Sequence, residues 1–445
     1  MKTAQTAVIH RLCSDHSEAI AAYRFFNNDN VPMKTLQEAL VDPIQPQVEG
    51  KHVLCIEDTT EINYAAHSGR LKASDEELGP VGNNRDVGFF LHPSLVLDAA
   101  SGFALGFADV HLWNRSWDKL DKHERDYKNL PLEEKESFRW IEAAQRAKVH
   151  LSKAAQVTFV ADREADIYQI FSRLPDARTQ VLIRSCQERY VRVDGLEGLL
   201  SEHLSGLDWA GEFKIKIRGN NGRKKRRARL QVRFSRVELL RPSGAKAEPV
   251  GSVAVYVVEV VERAETVPSG EEPIRWCLLT THRIETLVDA LGVVSYYKAR
   301  WQIEQLFRLL KSESLELESS QLERGAALKK LCIMSLHVAL VQLQLVTGRT
   351  GSAAVEASLV FSESSLVFLG VLQSQLEGKT QKQQCSHVAG GLAWASWVIG
   401  RLGGWKGYAS QSPPGPITMR RGLERFMSQF SGWQLAQVMQ TKGYA

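Results

Sequence analysis

The chain has 445 residues, of which 44% are hydrophobic and 24% charged, with a formal net charge of +5. Such a length supports a large core and two or three domains, and such a composition belongs to a soluble globular protein. The charge is only mildly basic, so any case for a nucleic-acid partner must rest on where the cations lie. The six cysteines (Cys13, Cys55, Cys186, Cys277, Cys332, Cys385) stand singly, without CxxC pairs. That argues against a zinc site and a disulfide framework, and suits a reducing cytoplasm.

The N-terminal stretch MKTAQTAVIHRLCSDHSEAI has no continuous apolar core and does not read as a secretory signal. Residues 1–50 read as helical, with a break at Asn27–Asn30. KHVLCIEDTTEI (51–62) is a short apolar run ending in acid and Thr, which suits a buried strand. Two strand-like runs follow in 89–113, around a turn at Ser101–Gly102. The charged stretch 116–152 reads as helical, and 155–174 as a strand followed by a helix.

From about 180 to 282 the texture changes to alternating, β-branched runs, which points to an all-β insertion. After it come helices at roughly 285–312, 322–347, 352–377 and 389–402, then a tail bearing glycine and proline. The apolar run LCIMSLHVALVQLQLV (331–346) is too short and too interrupted by His and Gln to span a bilayer, and reads as a buried helix. No membrane partner is expected.

Three carboxylates stand out. Asp58 closes the first strand and Asp162 closes another, in DREAD; strand ends of this kind open into the clefts of α/β sheets, although a lone Asp there can simply cap a turn. Glu304 sits in YYKARWQIEQLFRLLK (296–311). At about 100° per residue, Tyr297, Arg300, Glu304 and Lys311 fall within roughly 60° of one another. They form one polar stripe beside an apolar arc of Ile303, Leu306, Phe307 and Leu310.

The bland reading of that stripe is an Arg300–Glu304 surface pair at i,i+4, worth about 0.3–0.5 kcal/mol. The alternative is a row of working groups. Three convergent carboxylates would make an oxygen-rich site for Mg²⁺ or Mn²⁺, and hydroxyl, guanidinium and ammonium groups beside them would suit phosphate.

Lys214–Arg229, KIKIRGNNGRKKRRAR, holds nine Lys or Arg and no acid. Asn221-Gly222 is a hairpin-turn signal, which places Arg223, Lys224, Lys225, Arg226 and Arg227 at the tip of a β ribbon suited to a phosphate backbone. The alternative is a flexible charged loop. Trp276 reads as core of the β region, or as an aromatic available to stack on an unpaired base.

These residues resemble a known family. Tyr297-x2-Arg300-x3-Glu304-x6-Lys311 is similar to the YREK signature of bacterial insertion-sequence transposases of the DDE class, in the cut-and-paste composite-transposon branch. IEDTT around Asp58 and DREADI at 162–167 resemble its first and second aspartate motifs. AAYRFFNNDNV (21–31), PIRWCLLT (273–280) and GLAWASWVIGRLGG (391–404) resemble further segments, so the likeness runs along nearly the whole chain.

The resemblance implies an α/β fold: a ribonuclease-H-like core interrupted by an all-β insertion, with a helical C-terminal region. The expected units are an N-terminal helical remnant (1–48), the core in two parts (49–178 and 285–350), the insertion (179–284) and a dimerisation region (351–445). Asp58, Asp162 and Glu304 would be catalytic and would bind two Mg²⁺ ions, with Mn²⁺ as substitute. Tyr297, Arg300 and Lys311 would hold phosphates. Trp276 would stack on a flipped base, and Arg184 would help to hold that nucleotide.

The implied partners are double-stranded DNA, both transposon ends and target, and a second copy in a synaptic homodimer. The implied reaction is end cleavage through a hairpin, then strand transfer, in a bacterial, nucleoid-associated cytoplasmic setting. Family members carry roughly forty further helical residues before the AYRF segment. Their absence here leaves room for a shortened inhibitor that dimerises with full-length transposase; a stand-alone nuclease of the same fold is another alternative.

Overall fold

The computed structural model describes residues 1–445 except 72–74, 83, 119–129, 218, 220–223, 246, 351–354, 409 and 442–445. Its strands are β1 (His52–Glu57), β2 (Thr60–Asn63), β3 (Gly79–Val81), β4 (Asp86–Asp98), β5 (Ala104–Trp113), β6 (Gln156–Ala161), β7 (Thr179–Arg184), β8 (Tyr190–Val193), β9 (Leu196–Leu199), β10 (Gly211–Ile217), β11 (Arg226–Leu240), β12 (Ser252–Glu262) and β13 (Arg275–Thr280). They join one mixed sheet of 13 strands, in the order β2-β4-β1-β6-β7-β13-β12-β11-β8-β9. β5 and β3 also pair with β4, and β10 with β11. β1, β6 and β7 run parallel to one another, and the other described pairings are antiparallel.

The β1 sequence shows why this sheet is covered on both faces. Leu54 and Ile56 enter one core with the helices of 287–340, while Val53 and Cys55 enter a second core with Trp140, Ile141, Ala144 and Ala147 of the Arg139–His150 helix. Alternate side chains of a strand point to opposite faces, so a continuous apolar run is what a sandwiched strand requires.

β1 and β2 are two halves of one line along β4. Glu57 pairs with Ser94 and Thr60 with Leu91, a single unbroken register that sets Asp58 opposite Pro93 and Thr59 opposite His92. Proline has no N–H to give a ladder, and the strand is interrupted at this point.

Several expected elements need correction. The 116–152 stretch is α-helical only at Arg139–His150 among its described residues; Leu132–Glu134 and Glu136–Phe138 are short 3₁₀ turns, and 119–129 lie outside the described residues. Pro131 stands just before these turns, and the buried Trp140, Ile141, Ala144 and Ala147 begin only past them, so helical spacing of apolar residues starts at 140.

The 296–311 stretch is two helices, not one. Leu287–Ala299 ends at Arg300, Trp301–Arg308 begins after it, and a π turn follows at Leu309–Glu313. The β-rich span also contains a short helix, Leu200–Ser205. The expected tail holds the longest helix, Pro416–Thr441, whose Met419, Leu423, Phe426 and Phe430 pack into a third core with the Glu363–Leu376 and Leu392–Leu402 helices. Finally, Gly325–Gly348 is 24 residues long and apolar enough to cross a membrane by length and composition; 72% of its most apolar window is buried inside the protein. Burial, and not shortness, accounts for that helix.

Candidate active site

Asp58 stands just past the end of β1, and Asp162 just past the end of β6, the adjacent parallel strand. Parallel neighbours bring their C-terminal ends to the same edge, so two residues 104 positions apart in sequence share one cleft. Asp162 caps the 3₁₀ turn Arg163–Ala165 by accepting the Glu164 N–H at 2.9 Å, so the capping role anticipated for a lone Asp is real. It does not use up the carboxylate, which still has its other oxygen. Asp58 Oδ1 accepts the N–H of Thr59 at 2.8 Å.

Glu304 arrives from the Trp301–Arg308 helix, and Arg300 joins it to Asp58. One guanidinium nitrogen donates to Asp58 Oδ2 at 3.0 Å, and the other pairs with Glu304 Oε1. Arg300 is only 9% exposed, so the i,i+4 pair is not on a solvated face. Its guanidinium stands between two carboxylates, where a cation is wanted.

One cation among three acids leaves negative charge over. Asp58 is pushed up to about 7, first by burial and then by the Asp162 carboxylate, with Glu304 adding a smaller push; Arg300 and the Thr59 N–H act in the opposite sense. Among the described residues no group of three or more His, Cys, Asp or Glu is gathered closely enough to hold a metal ion as it stands. The donor set nevertheless fits a hard divalent cation: carboxylate oxygens from two strand ends and a helix, with a carboxyl that burial and its neighbours resist ionising.

The remaining expected residues divide. Tyr297 is buried, with the Arg300 guanidinium 6.0 Å from its ring centre and Trp276 edge-on at 5.9 Å. Burial raises its hydroxyl, against the pull of Arg300 and Arg184. Arg184 closes β7 and donates to the Arg275 carbonyl at 3.0 Å. Arg184, Trp276, Tyr297 and Arg300 therefore form one connected patch beside the acids. A cleft of about 320 Å³ opens next to it, lined in part by Arg163, Arg184, Ser185 and Arg275. Lys311 is drawn elsewhere: the π turn carries it, and its ammonium lies 3.5 Å from Glu318.

The basic ribbon is a β10–β11 hairpin closed by the Ile217–Arg226 pair. Arg223 and the Asn221-Gly222 turn lie outside the described residues. Lys224, Lys225 and Arg227 are exposed. Arg226 departs from expectation: its guanidinium turns inward to Glu262 at 2.8 Å and Glu271 at 2.6 Å. The buried Glu262 on the neighbouring strand and the half-buried Glu271 on its following loop claim this side chain, which turns it away from an incoming phosphate.

Sequence reasoning missed a set of polar residues behind the acids. His92, fully buried, is 2.8 Å from Thr59 Oγ1 through Nδ1. Arg139 Nε donates to the same hydroxyl at 3.1 Å, and its Nη2 reaches Glu164 Oε2 at 2.7 Å. Glu57 is buried beside Asp58, accepts from Ser94 Oγ at 3.0 Å, and is raised well above the carboxylate range by burial. The only sequence signals were the polar Glu57 and Thr59 flanking Asp58, and Glu164 inside DREAD.

Residues 136–341 match a family described as a transposase DDE domain, a stretch that covers just under half of the chain. It includes Asp162, the β11–β13 strands and the Glu304 helix, and begins after Asp58. The matched stretch is thus similar to a transposase domain of the DDE type, an enzyme domain of DNA transposition and recombination. Such domains bind DNA and depend in general on divalent metal ions. Among solved structures, the chain is similar to a piggyBac transposase in a synaptic complex with hairpin DNA, with 9% sequence identity and a TM-score of 0.37. The likeness covers 95% of this chain and 61% of that one.

Proposed function

We propose that this chain is an insertion-sequence transposase with the YREK signature, which cleaves DNA at transposon ends through a hairpin and joins the freed strand to target DNA. The observation that carries this reading is the convergence of Asp58 and Glu304 on one guanidinium, with Asp162 pressing electrostatically on Asp58. A ribonuclease-H-like core is supported by the run β5-β4-β1-β6-β7, three antiparallel strands followed by two parallel to β1.

Asp58, Asp162 and Glu304 are the residues that would hold two Mg²⁺ ions, with Mn²⁺ as substitute. When bound, such ions supply Lewis-acid stabilisation of the charge that builds up in an in-line phosphoryl transfer. Around them, Tyr297 and Arg300 would hold a phosphate near the scissile bond, Arg300 once metal ions take its place on Asp58 and Glu304, and Lys311 would join them once DNA draws it from Glu318. Trp276 and Arg184 receive an unstacked nucleotide, the Trp by its π face and the Arg through its phosphate. Lys224, Lys225 and Arg227, with Arg223, track the DNA backbone. The working form in this reading is a synaptic homodimer on transposon-end and target DNA, in a bacterial cytoplasm.

The test is cleavage of duplex DNA carrying the element's terminal repeat, with and without Mg²⁺. Asp58→Ala, Asp162→Ala and Glu304→Ala should each abolish metal-dependent cleavage while DNA binding persists. Full cleavage by any one of them would overturn the assignment. Cleavage by the wild-type chain without strand transfer into a target plasmid would reduce the function to that of a nuclease.

A further inference from the structure

Asp58 and Asp162 stand two residues past the last paired positions of β1 and β6, Ile56 and Val160, so the separation of their carboxylates depends on what holds the two chains beyond the ladder. Thr59 and Glu164 hold the two aspartates through main-chain N–H groups, at 2.8 and 2.9 Å. One side chain touches both of these residues. Arg139 Nε donates to the Thr59 hydroxyl at 3.1 Å and Nη2 to the Glu164 carboxylate at 2.7 Å, while Nη1 is anchored on the Glu136 carbonyl at 2.8 Å.

The guanidinium itself is well seated. Its side chain is 13% exposed, and it lies 5.4 Å from the Trp140 ring centre and 5.9 Å from that of Trp113. His92 backs the Thr59 end. Since the hydroxyl accepts from Arg139, its own hydrogen is free for His92 Nδ1, 2.8 Å away. The helix that carries Arg139 is bound to the same sheet through Arg146 and Asp109 of β5, at 2.9 Å.

We propose that Arg139 is a positioning residue that sets the separation of Asp58 and Asp162, acting as a fork across Thr59 and Glu164. The inference rests on the reading of those two aspartates as metal-binding carboxylates. A planar guanidinium fixes two partners at a set spacing, which a lysine ammonium cannot do. Groups that orient metal-binding side chains in this way carry about 10–100-fold in metal affinity or activity.

Charge and geometry predict opposite outcomes, which makes the role testable. Arg139 is a cation near the site, so by Coulomb's law alone its removal would tighten divalent binding. Positioning predicts weaker binding.

The experiment is calorimetric titration of the metal-free full chain with Mn²⁺, without DNA, alongside melting curves and gel shifts. Arg139→Ala should bind Mn²⁺ about tenfold more weakly, with DNA affinity unchanged, and Arg139→Lys should not restore it. Wild-type or tighter Mn²⁺ binding by Arg139→Ala would overturn the proposal. Thr59→Val removes the hydroxyl end of the fork without changing the charge near the site, and serves if Arg139→Ala fails to fold. An unchanged melting temperature with several-fold weaker Mn²⁺ binding supports the role, and unchanged Mn²⁺ binding overturns it. Asp58→Ala separates this inference from the one beneath it: if that variant binds Mn²⁺ like wild type, the metal-site reading fails first.

Discussion

The acid pocket at the ends of β1 and β6 and the basic β10–β11 ribbon carry opposite charge, and they dispose of it differently. In the ribbon, Arg226 is neutralised by Glu262 and Glu271, and Arg229 by Glu212 and Glu265. Lys225 and Arg227 stay outside that compensation and face solvent, while Lys224, also exposed, gives its main-chain N–H to Glu271 at 2.8 Å. In the pocket, Asp58 and Glu304 share a single guanidinium, and Asp58 still sits at about 7. Charge density along a sequence therefore overstates the charge offered to a partner. What counts is the remainder once internal counter-ions are used, which is positive on the ribbon and negative in the pocket.

The largest effect should come from breaking the internal half of the ribbon. Arg226→Ala leaves the buried Glu262 carboxylate without its bidentate partner. Removing one member of such a pair is expected to cost about 3 kcal/mol, read from urea denaturation. A change under about 0.5 kcal/mol, the range of an ordinary surface substitution, would place Arg226 with the solvent-facing cations after all.

Arg300→Gln probes the pocket in the same way. Without divalent metal, two close carboxylates lose their shared cation, and stability should fall by about 1–3 kcal/mol. Saturating Mn²⁺ should then raise the melting temperature of the variant more than that of the wild type, because the added cation meets more uncompensated charge and stabilises the fold that binds it. Equal shifts in the two proteins would mean that Arg300 does not stand in for a cation.

Strand ends and acids were legible in the sequence because they depend on local pattern. An apolar run closed by an acid marks β1 and β6, and their parallel pairing, across the intervening strands β2 to β5 and the Arg139–His150 helix, brings Asp58 to Asp162. The helix of 296–311 was legible in its faces but not in its break at Arg300, whose backbone stays in the α region while its side chain reaches Asp58, 242 residues away. Arg226 was misread for a related reason: the acids that claim it lie 36 and 45 residues further on, on a neighbouring strand and its loop. Arg139 and His92 were invisible, because an Arg in a charged stretch and a His in an apolar strand acquire meaning only when Thr59 falls between them.

Beneath the pocket lies a third way of disposing of charge, which is not to form it. His52 and His282 both meet the buried Thr158 hydroxyl at 2.8 Å, and burial lowers both, with His282 brought down to about 4. A histidine lowered in the folded state binds its proton first in the unfolded chain, so stability is lost as pH falls from about 6.5 towards 4. The slope attributable to one such group is at most about 1.4 kcal/mol per pH unit. His282→Gln should remove part of the acid sensitivity seen in melting curves between pH 7 and 4.5. Identical pH profiles for variant and wild type would show that this imidazole is not held neutral by the fold.

The smallest change in stability, and the sharpest contrast with Arg226, should come from Lys225→Ala. Its side chain is exposed, so the fold should keep its stability within about 0.5 kcal/mol. The ribbon sets like charges opposite each other at Lys216 and Arg227, an arrangement that is unfavourable unless something anionic relieves it; at Lys214 and Arg229 the internal acids Glu212 and Glu265 already do so. A DNA backbone laid along this face would relieve it and release its own counter-ions on doing so. Removing one contacting lysine should then lower the slope of log affinity against log salt by about 1. Arg226→Ala, measured at a temperature where it stays folded, should leave that slope unchanged. If both substitutions lower the slope alike, the division of the ribbon into an inward and an outward half fails, and the internal ion pairs must open when DNA binds.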